Sequence, residues 1–122
     1  MRIAADIAVG LVALLHVYFL VLEMFLWDTP YGRRVFGLTP EFSAASKSLA
    51  ANQGLYNGFL VAGLLWGVGS DLAGNAGAFS IKLFFLSCVI VAGVFGGFTA
   101  SRKILLVQAL PGAIALLLVC LS

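Results

Sequence analysis

The sequence alternates long apolar runs with short polar ones. A helix needs about 20 apolar residues to cross the hydrocarbon core of a bilayer. Four runs reach or approach that length: residues 7–26, 53–69, 78–98 and 104–121. The connections between them are short, so neighbouring helices must run antiparallel. The pattern therefore predicts an all-α membrane protein, in which residues 1–122 form one domain, an up-down bundle of four transmembrane helices.

The composition favours the same environment. Hydrophobic residues make up 62% of the 122-residue chain, and charged residues make up only 10%. A soluble domain of this size exposes much of its surface to water and covers it with polar and charged side chains. Seven basic and five acidic residues cannot cover such a surface. Lipid-facing positions need no such cover, so we expect the lipid bilayer to be a partner.

Several function classes find no support in the sequence. A net charge of +2, without a basic run, argues against nucleic acid as a partner. The two cysteines, Cys88 and Cys120, lie in apolar runs and lack the spacing of a metal or redox motif. One histidine and one intramembrane glutamate do not make a tetrahedral metal site. No glycine-rich phosphate loop occurs, and we expect no metal and no cofactor.

Basic residues set the expected orientation. The first and third connections share one side and contain Arg33, Arg34, Lys47, Arg102 and Lys103, whereas the other side has only Arg2 and Lys82. Cytoplasmic loops carry the excess of Lys and Arg, so both termini are expected outside the cytoplasm. The first run lacks a small-residue cleavage site near its end, which predicts a retained span rather than a signal peptide.

The first connection, residues 29–50, contains a helix-start signal. Thr39-Pro40-Glu41 combines a hydroxyl N-cap, a proline in the first turn and an acid near the positive end of the helix dipole. We expect a short helix from about residue 40. It either continues into the second span or lies along the membrane interface.

Glycine spacing predicts close helix packing. Gly54/Gly58, Gly63/Gly67 and Gly93/Gly97 each have the small-xxx-small spacing of tight transmembrane interfaces. The spacing leaves open whether they pack within the chain or form a homodimer through glycine-rich faces. Pro111 removes one backbone hydrogen bond from the fourth span and is expected to kink it.

Ionisable residues inside a membrane span are costly and mark candidate functional sites. The first span has two, His16 and Glu23, which lie on one helix face with Leu20 and Trp27. Seven helical residues separate the two side chains by about 10.5 Å, so a direct hydrogen bond between them is not expected. They are better placed as the floor and the mouth of one pocket.

Polar groups of two other spans are predicted at a similar depth. The second span contributes Asn52, Gln53, Tyr56 and Asn57, and the fourth contributes Gln108. With Trp27 these are the candidate ligand-binding residues of a pocket that opens to the cytoplasm, and His16 and Glu23 are the candidate catalytic residues. Structural roles remain open for several of them. His16 or Gln108 can bond across helices, Glu23 can pair with a basic residue, and Asn52 and Gln53 can cap the second span.

Three segments that hold these residues resemble a known family. They run from His16 to Trp27, from Asn52 to Phe59 and from Lys103 to Pro111. They are similar to a bacterial family of small four-span membrane proteins, domain of unknown function 1304, and the resemblance covers nearly the whole chain. It implies a multi-pass protein of the bacterial inner membrane. It carries no activity and no residue roles.

Three functions fit these observations. The first is a pocket for a small amphipathic or lipid-soluble molecule, with proton-transfer chemistry such as isomerisation as its enzymatic form. The second is proton-coupled transport of a small molecule by a homodimer, in which Glu23 exchanges protons for substrate. The third is a non-catalytic subunit of a larger membrane complex, in which the polar cluster is structural.

Overall fold

A computed structural model of the chain describes residues 1–122 and contains helices and turns but no strands. The α-helices are α1 (Arg2–Met24), α2 (Pro30–Phe36), α3 (Pro40–Leu72), α4 (Ala78–Thr99) and α5 (Leu110–Leu121), and a π-helical turn, Leu105–Ala109, leads into α5. Two of the apolar runs, 53–69 and 78–98, lie within α3 and α4. The run 7–26 extends two residues beyond the end of α1, and the run 104–121 begins one residue before the segment Leu105–Leu121. The prediction of an all-helical protein is therefore confirmed.

Two helices, α1 with 23 residues and α4 with 22, are long and apolar enough to cross a bilayer. The segment Leu105–Leu121 is apolar but shorter. The longest helix, α3, has 33 residues but includes Asn52, Gln53 and Asn57, which lower its hydropathy. By length and composition the structure thus provides two candidate spans, and four crossings stay a prediction.

The start of α3 follows from its capping sequence. The hydroxyl of Thr39 accepts a hydrogen bond of 3.1 Å from the backbone N–H of Phe42, and Pro40 is the first helical residue. This satisfies one of the four N–H groups that lack a partner inside the helix. From Pro40 the helix continues to Leu72 without a break, so the segment expected to start near residue 40 is the first part of one long helix.

A short helix, α2, was not anticipated from the sequence. Thr29 caps it by accepting from the N–H of Gly32, and Gly37 ends it with a φ of 66°. A side chain at Gly32 would collide with the backbone carbonyl of Leu26. Glycine is therefore required where α2 folds back against the end of α1.

The chain forms two compact units, each with its own packing. Met1–Leu14 and Ala62–Ser122 form one unit, and Leu15–Val61 forms the other. In the first, Gly63 packs against Phe85 and Gly67 against Lys82. Gly93 packs against Ala109 and Gly97 against Leu105. In the second, Gly54 packs against Met24 and Gly58 against Leu20. The predicted glycine interfaces are thus occupied by helices of the same chain.

The π-helical turn accommodates Pro111. The N–H of Leu110 donates to the carbonyl of Leu105, five residues earlier, instead of four. Pro111 has no N–H to donate and sits in the first turn of α5, a position that tolerates proline. The wider turn thus precedes the residue that cannot continue the regular hydrogen-bond pattern.

Candidate functional site

The Glu23 carboxylate is the centre of the candidate site. Glu23 is near the end of α1, and only 6% of its surface is exposed. Nε2 of Gln53 donates to its Oε2 at 2.8 Å, and Nδ2 of Asn57 donates to its Oε1 at 2.5 Å. We define these three residues as the Glu23 site. Both carboxylate oxygens are thus held by neutral amide donors.

Helix geometry explains why two amides reach one carboxylate. Gln53 and Asn57 are four residues apart in α3 and therefore project from one face. Between them, Gly54 brings the two backbones close, because a Cβ there would lie 2.5 Å from the Met24 side chain and 3.1 Å from the Cβ of Glu23. The close approach of α3 to the end of α1 therefore depends on a glycine next to the site.

The Glu23 site has no positive partner. Every ion pair in the structure involves an aspartate: Arg2 and Lys82 bond Asp71, Lys82 bonds Asp6, and Arg33 bonds Asp28. The other glutamate, Glu41, is exposed. The alternative in which a basic residue pairs with Glu23 does not occur here, and the Arg33 guanidinium is 2.9 Å from Asp28 instead. Glu23 is the buried acid whose charge the fold leaves uncompensated.

His16 is fully buried in the same unit, with no exposed surface. Its ring meets that of Phe19 edge to face, with centroids 5.2 Å apart. The predicted helix face of His16 and Glu23 is thus the buried side of α1. Their seven-residue separation, about 10.5 Å along the helix, disfavours a direct hydrogen bond between the two side chains.

The remaining predicted residues have other partners. Nε1 of Trp27 donates to the Ser46 hydroxyl at 2.9 Å. Asn52 and Tyr56 are exposed, and the Tyr56 ring packs edge to face on Phe59. These contacts place Trp27, Asn52 and Tyr56 outside the hydrogen bonds to Glu23.

Gln108 belongs to the other compact unit. Its Nε2 donates to the backbone carbonyl of Val89 at 3.1 Å, which ties the π-helical turn to α4. An open apolar groove of about 520 Å³ also lies on α4, lined by Phe84, Ser87, Cys88, Val91, Ala92 and Phe95. None of the residues predicted from the sequence for binding lines this groove.

Two charged clusters were missed by the sequence analysis. In the first, the buried Nζ of Lys82 lies 2.9 Å from Asp6 and 3.6 Å from Asp71, and exposed Arg2 also binds Asp71. Two acids and two bases there compensate one another, which indicates a structural role. The Lys82–Asp6 pair joins positions 76 residues apart, so no local sequence pattern predicts it.

The second cluster surrounds Asp28, between α1 and α2. The buried Ser43 hydroxyl donates to its carboxylate at 2.7 Å, and Arg33 donates at 2.9 Å. The Ser43 hydrogen bond and the charge of Arg33 hold the pKa of Asp28 below its ordinary value. The aspartate thus fastens the start of α3 to the loop that precedes α2.

Comparison with known proteins decides the family. A sequence model of the family described as "Protein of unknown function (DUF1304)" matches residues 10–120, which include all three residues of the Glu23 site. The chain belongs to this family. The resemblance noted in the sequence is thereby confirmed, and the family description assigns no activity.

A bacterial relative matches over most of its length. The chain is 32% identical over 109 residues to the uncharacterized protein YpaA of Lactococcus lactis subsp. lactis (strain IL1403). The match covers 88% of this chain and 86% of that protein, so the two have closely similar lengths. No solved structure matches the chain.

Proposed function

We propose that the chain is a multi-pass inner-membrane protein whose Glu23 site binds a small amphipathic or lipid-soluble molecule and exchanges a proton with it. The observation that carries the proposal is a buried carboxylate held by Gln53 and Asn57 without a basic partner. The candidate spans α1 and α4 support the membrane setting. Glu23 belongs to the first of them.

The energetics of burial support proton exchange. An ionised carboxylate within a span costs several kcal/mol unless a positive charge is near. The two amides offset part of this cost through charge-assisted hydrogen bonds. The remaining cost is removed either when Glu23 takes up a proton or when a ligand brings a compensating charge. A group with two such states is suited to proton-transfer chemistry.

The site is also held in a defined geometry, as binding requires. Gln53 and Asn57 fix both carboxylate oxygens, and Gly54 fixes the distance between the helices that carry them. A preorganised polar group in an apolar surrounding lowers the cost of ordering on binding. His16, buried on the same helix, is the second proposed proton-transfer group.

Native mass spectrometry of the protein extracted with its membrane lipids tests this function. We expect a small-molecule adduct that Glu23→Gln removes and that the matched exposed variant Glu41→Gln retains. An adduct that survives in Glu23→Gln, or a protein without any adduct from total lipid extract, would count against a binding function. Tryptophan fluorescence and gel filtration check that each variant is folded.

The two alternative functions give different results. Proton-coupled transport requires Glu23-dependent uptake by proteoliposomes and a homodimer in bilayers. A non-catalytic subunit co-purifies with a larger complex, and Glu23→Gln leaves that complex intact. The binding function alone predicts a Glu23-dependent adduct on a chain that neither transports nor assembles.

A further inference from the structure

The hydrogen-bonding capacity left at the Glu23 site is mainly accepting. A carboxylate only accepts hydrogen bonds, and each side-chain amide has a carbonyl oxygen that accepts and an NH2 group with two N–H donors. Here one N–H of Gln53 and one N–H of Asn57 are directed at Glu23. Their carbonyl oxygens accept no hydrogen bond from the protein. A ligand therefore meets two amide oxygens, the remaining lone pairs of a carboxylate and the second N–H of each amide.

The charge at the site also disfavours anionic and neutral ligands. Glu23 is negative when ionised, and Asp28 uses the Arg33 guanidinium in the same unit. An anionic head group would meet the negative charge of the Glu23 carboxylate, which repels it. A neutral hydroxyl would satisfy one acceptor and leave the charge uncompensated. A cation that donates several hydrogen bonds satisfies both requirements.

The surface beside the site suits an apolar tail. Gln53 is exposed, and Tyr56, three residues later, is its neighbour on the surface of α3. Phe59 follows Tyr56 by three more residues and lies about 120° around the helix from Gln53. Tyr56 is 57% exposed and Phe59 is 54% exposed, and their rings pack against each other at 5.6 Å. An alkyl chain whose head lies at Glu23 meets Tyr56 beside Gln53.

We propose that the ligand of the Glu23 site is an amphipathic primary amine, bound as its ammonium ion. Its three N–H groups match three acceptors, which are the Glu23 carboxylate and the carbonyl oxygens of Gln53 and Asn57. Tyr56 contacts its apolar part. This inference rests on the proposed function and names the ligand class of the same site. A quaternary ammonium has the charge but no N–H group, and it binds more weakly.

Native mass spectrometry of the full-length protein in phosphatidylcholine nanodiscs tests the ligand class. The probes are dodecylamine, dodecyltrimethylammonium and dodecanol, which share a chain and differ in charge and N–H donors. We expect dodecylamine to bind about tenfold more tightly than either other probe, the size of one charge-assisted hydrogen bond. Glu23→Gln should remove this preference, Gln53→Ala should reduce it, and Glu41→Gln should leave it unchanged.

The outcomes separate the inference from the function beneath it. Equal binding of dodecylamine and dodecyltrimethylammonium, both dependent on Glu23, would overturn the primary-amine inference and leave the binding function intact. Glu23-dependent binding of dodecanol alone would have the same meaning. If neither Glu23→Gln nor Gln53→Ala changes the binding of the three probes, the binding function is contradicted as well. Gln53 is exposed, so its variant remains informative if Glu23→Gln does not fold.

A second arm identifies the source of the amine. Phosphatidylethanolamine carries a primary amine in its head group, whereas phosphatidylcholine does not. A lower apparent affinity for dodecylamine in nanodiscs that contain phosphatidylethanolamine assigns the site to a lipid head group. An unchanged affinity assigns it to a free amine. Both results support recognition of a primary amine.

Discussion

Asn57 donates a hydrogen bond of 2.5 Å to Oε1 of Glu23, a residue 34 positions earlier in the chain. The bond joins α3 to the end of α1, and its acceptor is buried. We expect Asn57→Ala to destabilise the protein by about 2 kcal/mol, because a buried charged acceptor loses a partner. Thermal unfolding in detergent measures the change. Asn75→Ala, at an exposed loop position, should change stability by less than about 0.5 kcal/mol.

Gly32 should not tolerate a side chain. Gly32→Ala places a Cβ against the carbonyl of Leu26, so α2 must move, at a cost of about 3 kcal/mol. Gly10→Ala is the matched control, because nothing lies within 4 Å of its added Cβ. That variant should be neutral or stabilising by up to about 1 kcal/mol, the helix propensity difference. Equal melting temperatures for the two variants would contradict the tight packing of α2.

Asp28 should make stability depend on acid pH. Its pKa is lowered in the folded protein from an ordinary value of 3.8, chiefly by the Ser43 hydrogen bond. The ionised form therefore stabilises the fold fully above the ordinary pKa, and this contribution is lost as the pH falls through the folded pKa. Ser43→Ala should flatten the loss of melting temperature below about pH 4. Ser48→Ala, at an exposed position of the same helix, should leave the acid profile unchanged.

The buried Lys82 should stabilise the fold only while its carboxylate partners, Asp6 and Asp71, are charged. Lys82→Met leaves Asp6 partly buried without its partner and should cost about 3 kcal/mol. The double variant Asp6→Asn/Lys82→Met removes both charges and should recover most of that loss. Chemical unfolding of the two variants measures the difference, and exposed Lys103→Met is the control. A double variant as unstable as the single one would show that the pair itself is not the cause.

The orientation inferred from basic residues is tested with a reporter. We expect an alkaline phosphatase fused after Ser122 to be active and a green fluorescent protein at the same position to be dark. Both results place the C-terminus outside the cytoplasm, as the excess of Lys and Arg in the first and third connections predicts. The opposite pair of signals would refute either the orientation or an even number of crossings.

The helices could be predicted from hydropathy because each long apolar run is also a helix. The sequence missed α2, although Thr29-Pro30 repeats the hydroxyl-proline signal used at Thr39-Pro40. The start of α2 is hard to predict because the helix has only seven residues and no apolar periodicity. A hydroxyl-proline pair stands at the start of both helices in this loop, but it predicted only the start of α3.

The residues of the site could be predicted where they share both a depth in the membrane spans and a helix face. Glu23, Gln53 and Asn57 were all expected at one level, and the structure joins them by hydrogen bonds. Tyr56 was expected at the same level, but it precedes Asn57 by one residue and is therefore about 100° away around α3. The partner of Gln108 is a backbone carbonyl, which side-chain patterns do not reveal. The roles assigned to these residues stay predictions.

The π-helical turn before Pro111 sets the rotational phase of everything that follows it. The inward positions of α5 are Gly112, Ala115 and Val119, which are all buried. Because the turn holds one residue more than an α-helical turn, deletion of a single residue from it would restore a regular ladder and leave those three positions with their present rotational phase. Deletion of one residue within α5, where no wider turn absorbs the change, would rotate the positions after it by about 100°. A one-residue gap within α5 should therefore harm the protein more than the same gap in the π-helical turn.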